Sequence, residues 1–348
     1  MIKEIKYGAL SGKSRAMFGR LLRRDDYMAL MKKKNVEEAV SYLKHNTHYK
    51  TALSGAGEPE IRRAHLENML KGDLINDYRK LLKFTHGEVK KLINLLYVRI
   101  EVENLKLIFR SFEAGRRDEA IIGDSLRYLS EHNGLDFTKL AMAKNPDEFL
   151  QGLKGTDYYN VLRPFVSGNG EGRLFGMGMA MDQYYMTGLQ NYCRKIRSGK
   201  NLSLMKEFTG FESDAFNIFL IYRSKAYYDI GPEVIRSYTL PSVFNLKKNV
   251  MDQLIEAADL NEFFSILDKT PYGFLFQDDG KLFEHQYSEF AYKLHRKRFR
   301  SHPFSVACVV SYLRMRETEL ANVISIIEGI RYGLPPERIQ KYVTGMDS

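Results

Sequence analysis

The sequence predicts an all-α protein, and three observations carry that prediction. Apolar residues recur with the 3.6-residue period of a buried helix face along most of the chain, while strand-like alternation is nearly absent. Gly- and Pro-containing breaks fall between the periodic stretches. One helical pattern is also written three times, its markers in fixed order and recurring at intervals of about 110 residues.

The first marker is an apolar helical turn that ends in Thr-x-Tyr. It runs from Glu38-Ala39-Val40 through Leu43 to Thr47-His48-Tyr49, then from Glu148-Phe149-Leu150 through Leu153 to Thr156-Asp157-Tyr158. The third copy runs from Glu262-Phe263-Phe264 through Leu267 to Thr270-Pro271-Tyr272. A breaker-rich loop follows each time: Ser54-Gly55-Ala56-Gly57, Gly168 to Gly172, and Asp278-Asp279-Gly280. Each loop leads into a long amphipathic stretch rich in Tyr, Leu and Met. Next comes a helix with paired acids: Glu101 and Glu103, Glu212 and Asp214, Glu317 and Glu319. Each copy then breaks near a glycine and restarts with Glu-x-Ile, at Glu119, Glu233 and Glu337. Glycine closes a helix in the left-handed conformation and proline suits the first turn of the next, so Gly231-Pro232 and Gly333-Leu334-Pro335-Pro336 read as stop and restart. The expected units are residues 1–118, 119–232 and 233–348, each of about 110 residues. Within the third, Pro335 to Ser348 is the opening of a fourth copy that serves as a cap.

Composition bounds the function. Apolar residues make up 44% of the 348, enough for a substantial core, and charged residues 28%. The longest nearly apolar run, Phe304 to Leu313, is about half the ~20 residues that a membrane-spanning helix needs, so no span is expected. The N-terminal segment lacks the apolar stretch of a secretory signal. Only Cys193 and Cys308 are present, which argues against a disulfide framework or zinc cluster and for a reducing cytoplasm. The formal charge of +10 suits nucleic acid, an anionic lipid surface or an acidic protein partner, and selects none of them. The densest basic cluster, Lys293, Arg296, Lys297, Arg298 and Arg300 with His295 and His302, is expected to be the solvated face and end of a helix.

Few residues point to chemistry. Gly8-Ala9-Leu10-Ser11-Gly12-Lys13-Ser14 resembles a phosphate-binding loop but has three residues between its glycines where four are needed, and no βαβ setting. It reads instead as a helix start, with Lys13 and Arg20 on one basic face. Gly168, Gly170 and Gly172 follow no strand and read as a connector. The eight histidines form no metal pair with a third ligand in reach, His45 and His48 included. The paired acids are more informative. Residues i and i+2 face different sides of a helix, so they make no general acid/base dyad. The leading acid of each pair, however, lies within its apolar stripe. Glu101, Glu212 and Glu317 are therefore expected to be partly buried, each held by an Arg, Lys or Tyr of a neighbouring helix. Such groups either fix helix register or present an axial surface to a partner. The candidates are Glu101, Glu103, Glu212, Asp214, Glu317, Glu319 and Asn322.

The segment from Tyr312-Leu313-Arg314-Met315-Arg316-Glu317-Thr318-Glu319-Leu320-Ala321-Asn322 to Ile326-Ile327-Glu328-Gly329-Ile330-Arg331-Tyr332-Gly333-Leu334-Pro335-Pro336-Glu337 resembles the C subunits of prokaryotic V/A-type rotary ATPases, counterparts of the d subunits of eukaryotic vacuolar ATPases. Tyr7, Arg15-Ala16-Met17 and Leu21-Leu22 agree with it, as do Asp182 and Tyr185, and the resemblance covers essentially the whole chain. It implies a non-catalytic funnel of three helical units around a pseudo-threefold axis, without a cofactor. It further implies that the wide end receives the D–F shaft of the rotor, and that the narrow end sits on the membrane proteolipid ring at the cytoplasmic face. The composition-level alternative is a helical-repeat nucleic-acid-binding protein, with tyrosines as stacking surfaces and a binding affinity that falls steeply with salt.

Overall fold

A computed structural model describes residues 2–55, 63–113, 135–166, 171–196, 199–241, 244–276 and 283–346. These fold into α1 (Ile2–Phe18), α2 (Arg24–Met31), α3 (Val36–Asn46), α4 (Arg63–Leu82), α5 (Gly87–Glu113), α6 (Phe137–Met142), α7 (Pro146–Gly152) and α8 (Asp157–Val166). They continue with α9 (Glu171–Lys195), α10 (Lys200–Tyr227), α11 (Pro232–Tyr238), α12 (Lys248–Glu256), α13 (Leu260–Leu267), α14 (Phe283–Ser301), α15 (Ala307–Arg331) and α16 (Pro336–Gln340). Single 3₁₀ turns occupy His48–Lys50 and Gly273–Phe276, and no strand occurs among the described residues, so the fold is all-α. The breakers Gly57, Gly168, Gly170 and Asp278 to Gly280, the restart at Glu119 and the expected boundary at 118 lie outside the described residues.

The sequence markers have local causes. α3, α7 and α13 start on Asn35, Asn145 and Asp259, whose side chains accept from the amides of Glu38, Glu148 and Glu262 at 2.8, 2.8 and 2.9 Å. Each of those glutamates reaches back to an amide just ahead of the cap, on Lys34, Lys144 and Ala258. This reciprocal arrangement satisfies amides that a helix start otherwise leaves unpaired. At the other end, the Thr47 hydroxyl donates to the Leu43 carbonyl and accepts from the Tyr49 amide. Thr270 does the same with Leu267 and Tyr272. In the first and third copies Thr-x-Tyr is thus a side-chain-closed turn that ends one helix and swings a tyrosine inward, whereas Tyr158 of the second lies in the first turn of α8.

α15 ends on Gly333, whose φ of 64° is a left-handed conformation that glycine adopts without a Cβ penalty. The Leu334 amide donates back to the Gly329 carbonyl and that of Gly333 to Ile330, closing the helix. Gly329 itself lets Ile339 of α16 approach, since a Cβ there would lie 2.6 Å from the Ile339 side chain.

The chain divides into two compact units. The first comprises Met1–Ile93, Ile108–Leu153 and Ser288–Ser348. At its centre is α15, on which α1, α2, α3, α4 and α16 all pack. The beginning and end of the chain therefore share one core, with Leu10, Leu43, Tyr78, Val309 and Val323 buried in it. The second unit comprises Asn94–Leu107 and Lys154–Tyr287. Here α10 packs against α9, α11, α12 and α13, burying Ile218, Ile221, Leu254, Phe263 and Leu267. A fully buried side chain of this kind contributes about 1.5–3 kcal/mol by removal from water.

Two sequence expectations are corrected. Gly8 to Ser14 lies in the body of α1 and not at a helix start, and α1 ends at Phe18, so Arg20 is not on its face. Lys13 stands 5.6 Å from the centre of the Phe84 ring. Within the basic stretch of α14, Lys293, Lys297 and Arg300 are exposed as expected, but His295 is buried and close to Ser311 Oγ at 3.2 Å. It falls one turn before the buried Phe299, on the inward side of the helix.

Candidate functional site

The repeated acids and the repeated tyrosines meet. The Tyr158 hydroxyl donates to Glu101 at 2.5 Å, Tyr272 to Asp214 at 2.7 Å, and Tyr49 to Glu319 at 3.1 Å. All three acids are almost wholly buried. Burial, reinforced by the neighbouring carboxylate, raises the pKa of Tyr158 and of Tyr272, so both phenols stay protonated and donate. Asp214 also accepts from the amides of Asn245 and Leu246, two residues ahead of α12, and Glu319 accepts from the amide of Leu22, two residues ahead of α2. In these two copies one carboxylate ties together three things: the long helix it sits on, the tyrosine turn, and the entry to a short helix.

Three residues beyond each of these acids is an asparagine. Asn322 donates to the Thr344 carbonyl and accepts from its amide, at 2.8 and 2.9 Å. Asn217 does the same with Leu240, at 2.9 and 2.8 Å. Asn104 donates to the Ile100 carbonyl within its own helix. A carboxylate-x-x-Asn motif at Glu101/Asn104, Asp214/Asn217 and Glu319/Asn322 is therefore a cleaner repeat than the paired acids. It is present in the sequence, but pairing acids at i and i+2 conceals it.

Glu212 and Glu317 are partly buried and held from a neighbouring helix, as expected, but the leading acid is the wholly buried one only in the first copy. Glu212 keeps 21% of its side chain exposed and pairs with Arg99 at 3.1 Å. Glu317 keeps 20% and accepts from Tyr78 at 2.8 Å and Arg314 at 2.9 Å. Glu103 is half exposed and pairs with Lys106, which also reaches Asp182, both at 2.7 Å. The shift to the trailing acid has a simple cause: Asp214 and Glu319, like Glu101, lie three residues before the asparagine and so on its face of the helix.

The third copy adds a charge that the others lack. Arg316 is fully buried and donates to Asp73 at 2.7 Å, Glu319 at 2.9 Å, Asp77 at 3.2 Å and the Tyr49 hydroxyl at 2.7 Å. Tyr312 donates to Asp77 at 2.6 Å. His48 bridges Asp73 at 3.2 Å and Glu319 at 2.8 Å. Burial opposes protonation of His48, but these two carboxylates outweigh it and raise its pKa. Burial also works to raise Asp73, yet His48 and Arg316 hold it below its ordinary value. No pattern along the chain pairs Arg316 with acids more than two hundred positions away.

The oxygens of these acids are taken up by phenols, amides and cations, so the arrangement is a set of buried joints. Among the described residues no group of three His, Cys, Asp or Glu side chains is placed to hold a metal ion, and no helix is long and apolar enough to cross a membrane. Long helices fastened to short ones by one recurring polar joint define a helical-repeat scaffold. Residues 10–342 match the family model described as ATP synthase (C/AC39) subunit, and the chain belongs to that family of rotary ATPase components. It is 25% identical over 336 residues to the A-type ATP synthase C subunit of Archaeoglobus fulgidus, covering 94% of this chain and 93% of that one. The C subunit of the Thermococcus kodakarensis enzyme is 23% identical over 348 residues, covering 98% and 91%, and that of Methanocaldococcus jannaschii 22% over 294 residues, covering 81% and 72%.

Proposed function

We propose that this chain is a non-catalytic central-stalk component that turns with the rotor and couples a D–F shaft to the membrane proteolipid ring. It would lie peripherally on the cytoplasmic face, with no small-molecule substrate and no nucleic acid as partner. Three homologous units, 1–118, 119–232 and 233–348, would surround a pseudo-threefold axis as a funnel.

The observation that carries this reading is the cyclic order of the joints. The acid of the first copy, Glu101, holds Tyr158 of the second; Asp214 of the second holds Tyr272 of the third; Glu319 of the third holds Tyr49 of the first. Each joint therefore links one copy to the next along the chain, and the last copy back to the first. Long helices fastened near mid-length to their neighbours by buried joints resist bending, and stiffness is what transmission of torque requires. Glu101, Asp214, Glu319 and Asn322 then act as fasteners, and the more exposed Glu103, Glu212 and Glu317 remain the candidates for meeting a partner. The test is co-purification of the chain, separately, with a D–F complex and with a detergent-solubilised proteolipid ring. The reading expects stable complexes with both; failure with both removes it.

A further inference from the structure

Aligned on the carboxylate-x-x-Asn motif, the three long helices α5, α10 and α15 agree closely in which positions are buried. In the eight residues before the acid, the middle copy alone is uncovered at two positions that both other copies bury. Four residues before the acid stand Tyr97, Gly210 and Met315; eight before stand Ile93, Lys206 and Ser311. The residues of the first and third copies are wholly buried at both positions. In the middle copy one position has no side chain and the other carries an exposed lysine. A helix face that is covered twice is open once.

A cleft of about 260 Å³ lies over that face, within the second unit, with Cys193, Arg194, Lys206, Gly210, Ser213 and Phe244 in its wall. Gly210 shapes it: a Cβ there would fall 2.4 Å from Cγ of Phe244, so only glycine lets that ring lie flat on the helix. Polar groups of the floor are already used, Gln190 donating to Ser213 at 3.2 Å and Cys193 touching Thr209 at 3.5 Å. The floor therefore offers apolar contact. On the rim, neither Arg194 nor Lys206 has an ion-pair partner among the described residues, no carboxylate lines the cleft, and Lys195, next to Arg194 in the chain, is exposed.

We infer that this cleft docks an acidic segment of a partner protein within the rotary complex, one that inserts a single aliphatic or aromatic side chain beside Phe244 and sets carboxylates against Arg194 and Lys206. The inference rests on the rotor reading above. The volume is below the roughly 300–1,000 Å³ of sites that enclose a small molecule, and fits one large side chain. A bare phosphate would leave the apolar floor unused. Apolar anchor and charged rim together match the usual anatomy of a protein interface.

The test uses Lys206→Cys in a Cys193→Ser background. The remaining Cys308 is buried and its thiol is pushed up by burial to about 12, so it stays silent toward maleimide. Alkylation is timed in the isolated chain and in the purified rotary complex. The expected result is a slowing of about tenfold or more on assembly. Arg194→Glu with Lys206→Glu is expected to lower retention of the chain in the complex several-fold while leaving its melting temperature unchanged. Equal alkylation rates in a complex that contains the chain overturn the docking cleft and leave the rotor reading intact. A chain that never enters the complex overturns the rotor reading and the cleft with it. Protection produced by phosphatidylglycerol vesicles on the isolated chain, and not by assembly, replaces the protein occupant with a lipid one.

Discussion

At the scale of single residues, the protein depends on a few charges taken out of water and fully accounted for. Removing Arg316 leaves Asp73, Asp77 and Glu319 without their shared cation in a buried setting, so Arg316→Met is expected to cost about 3–5 kcal/mol in urea unfolding. Arg316→Lys should lose less, because the charge remains while the forked donors are lost. Two histidines give opposite dependences on pH. The pKa of His48 is raised in the folded protein, so the stability it contributes is complete below about 6.5 and is lost as pH rises through the folded value. His295 is pushed down to about 3, first by burial and then by the Arg314 charge, so folding loses stability as pH falls from about 6.5 toward that value. Asp73, held low, adds to the same acid loss. Melting temperatures across pH should show His48→Gln flattening the alkaline side and His295→Gln the acid side; the reverse assignment would refute both. Neither histidine is legible in the sequence. The basic run from Lys293 to Arg300 conceals that its histidine faces inward, because charge pattern alone does not fix the phase of a helix whose apolar residues are sparse.

At the scale of elements, the sequence is far more readable, because helix ends are decided by neighbours in the chain. Glu38, Glu148 and Glu262 are visible as repeat markers, and each completes a reciprocal cap. Asn145→Ala should therefore destabilise by about 1 kcal/mol, with Asn35→Ala similar, and amide exchange should rise first in α7 or α3 respectively. The Gly333 stop is legible for the same local reason. Gly333→Ala, at a φ of 64°, is expected to cost about 1 kcal/mol in thermal unfolding, whereas Gly231→Ala, at a φ of −66°, should be nearly neutral. The exchange of roles between Glu212 and Asp214 is legible only when Asn217, three residues beyond Asp214, is used to set the phase of the helix; the partner Tyr272 is not legible.

At the scale of the whole molecule, periodicity predicts the all-α class and the recurrence of one pattern, but not which copy supplies which half of each joint. That assignment depends on contacts such as Tyr49 with Glu319, 270 positions apart, for which a linear pattern has no sign. The proposed coupling role would also leave little local signature, because a rigid part needs no nucleophile or phosphate cradle. The most direct measurement of that role is ATP-driven ion uptake into vesicles bearing the rotary complex, prepared with and without this chain. A complex lacking the chain is expected to hydrolyse ATP without moving ions, and adding the purified chain to restore uptake. Undiminished uptake in its absence would rule out the coupling role.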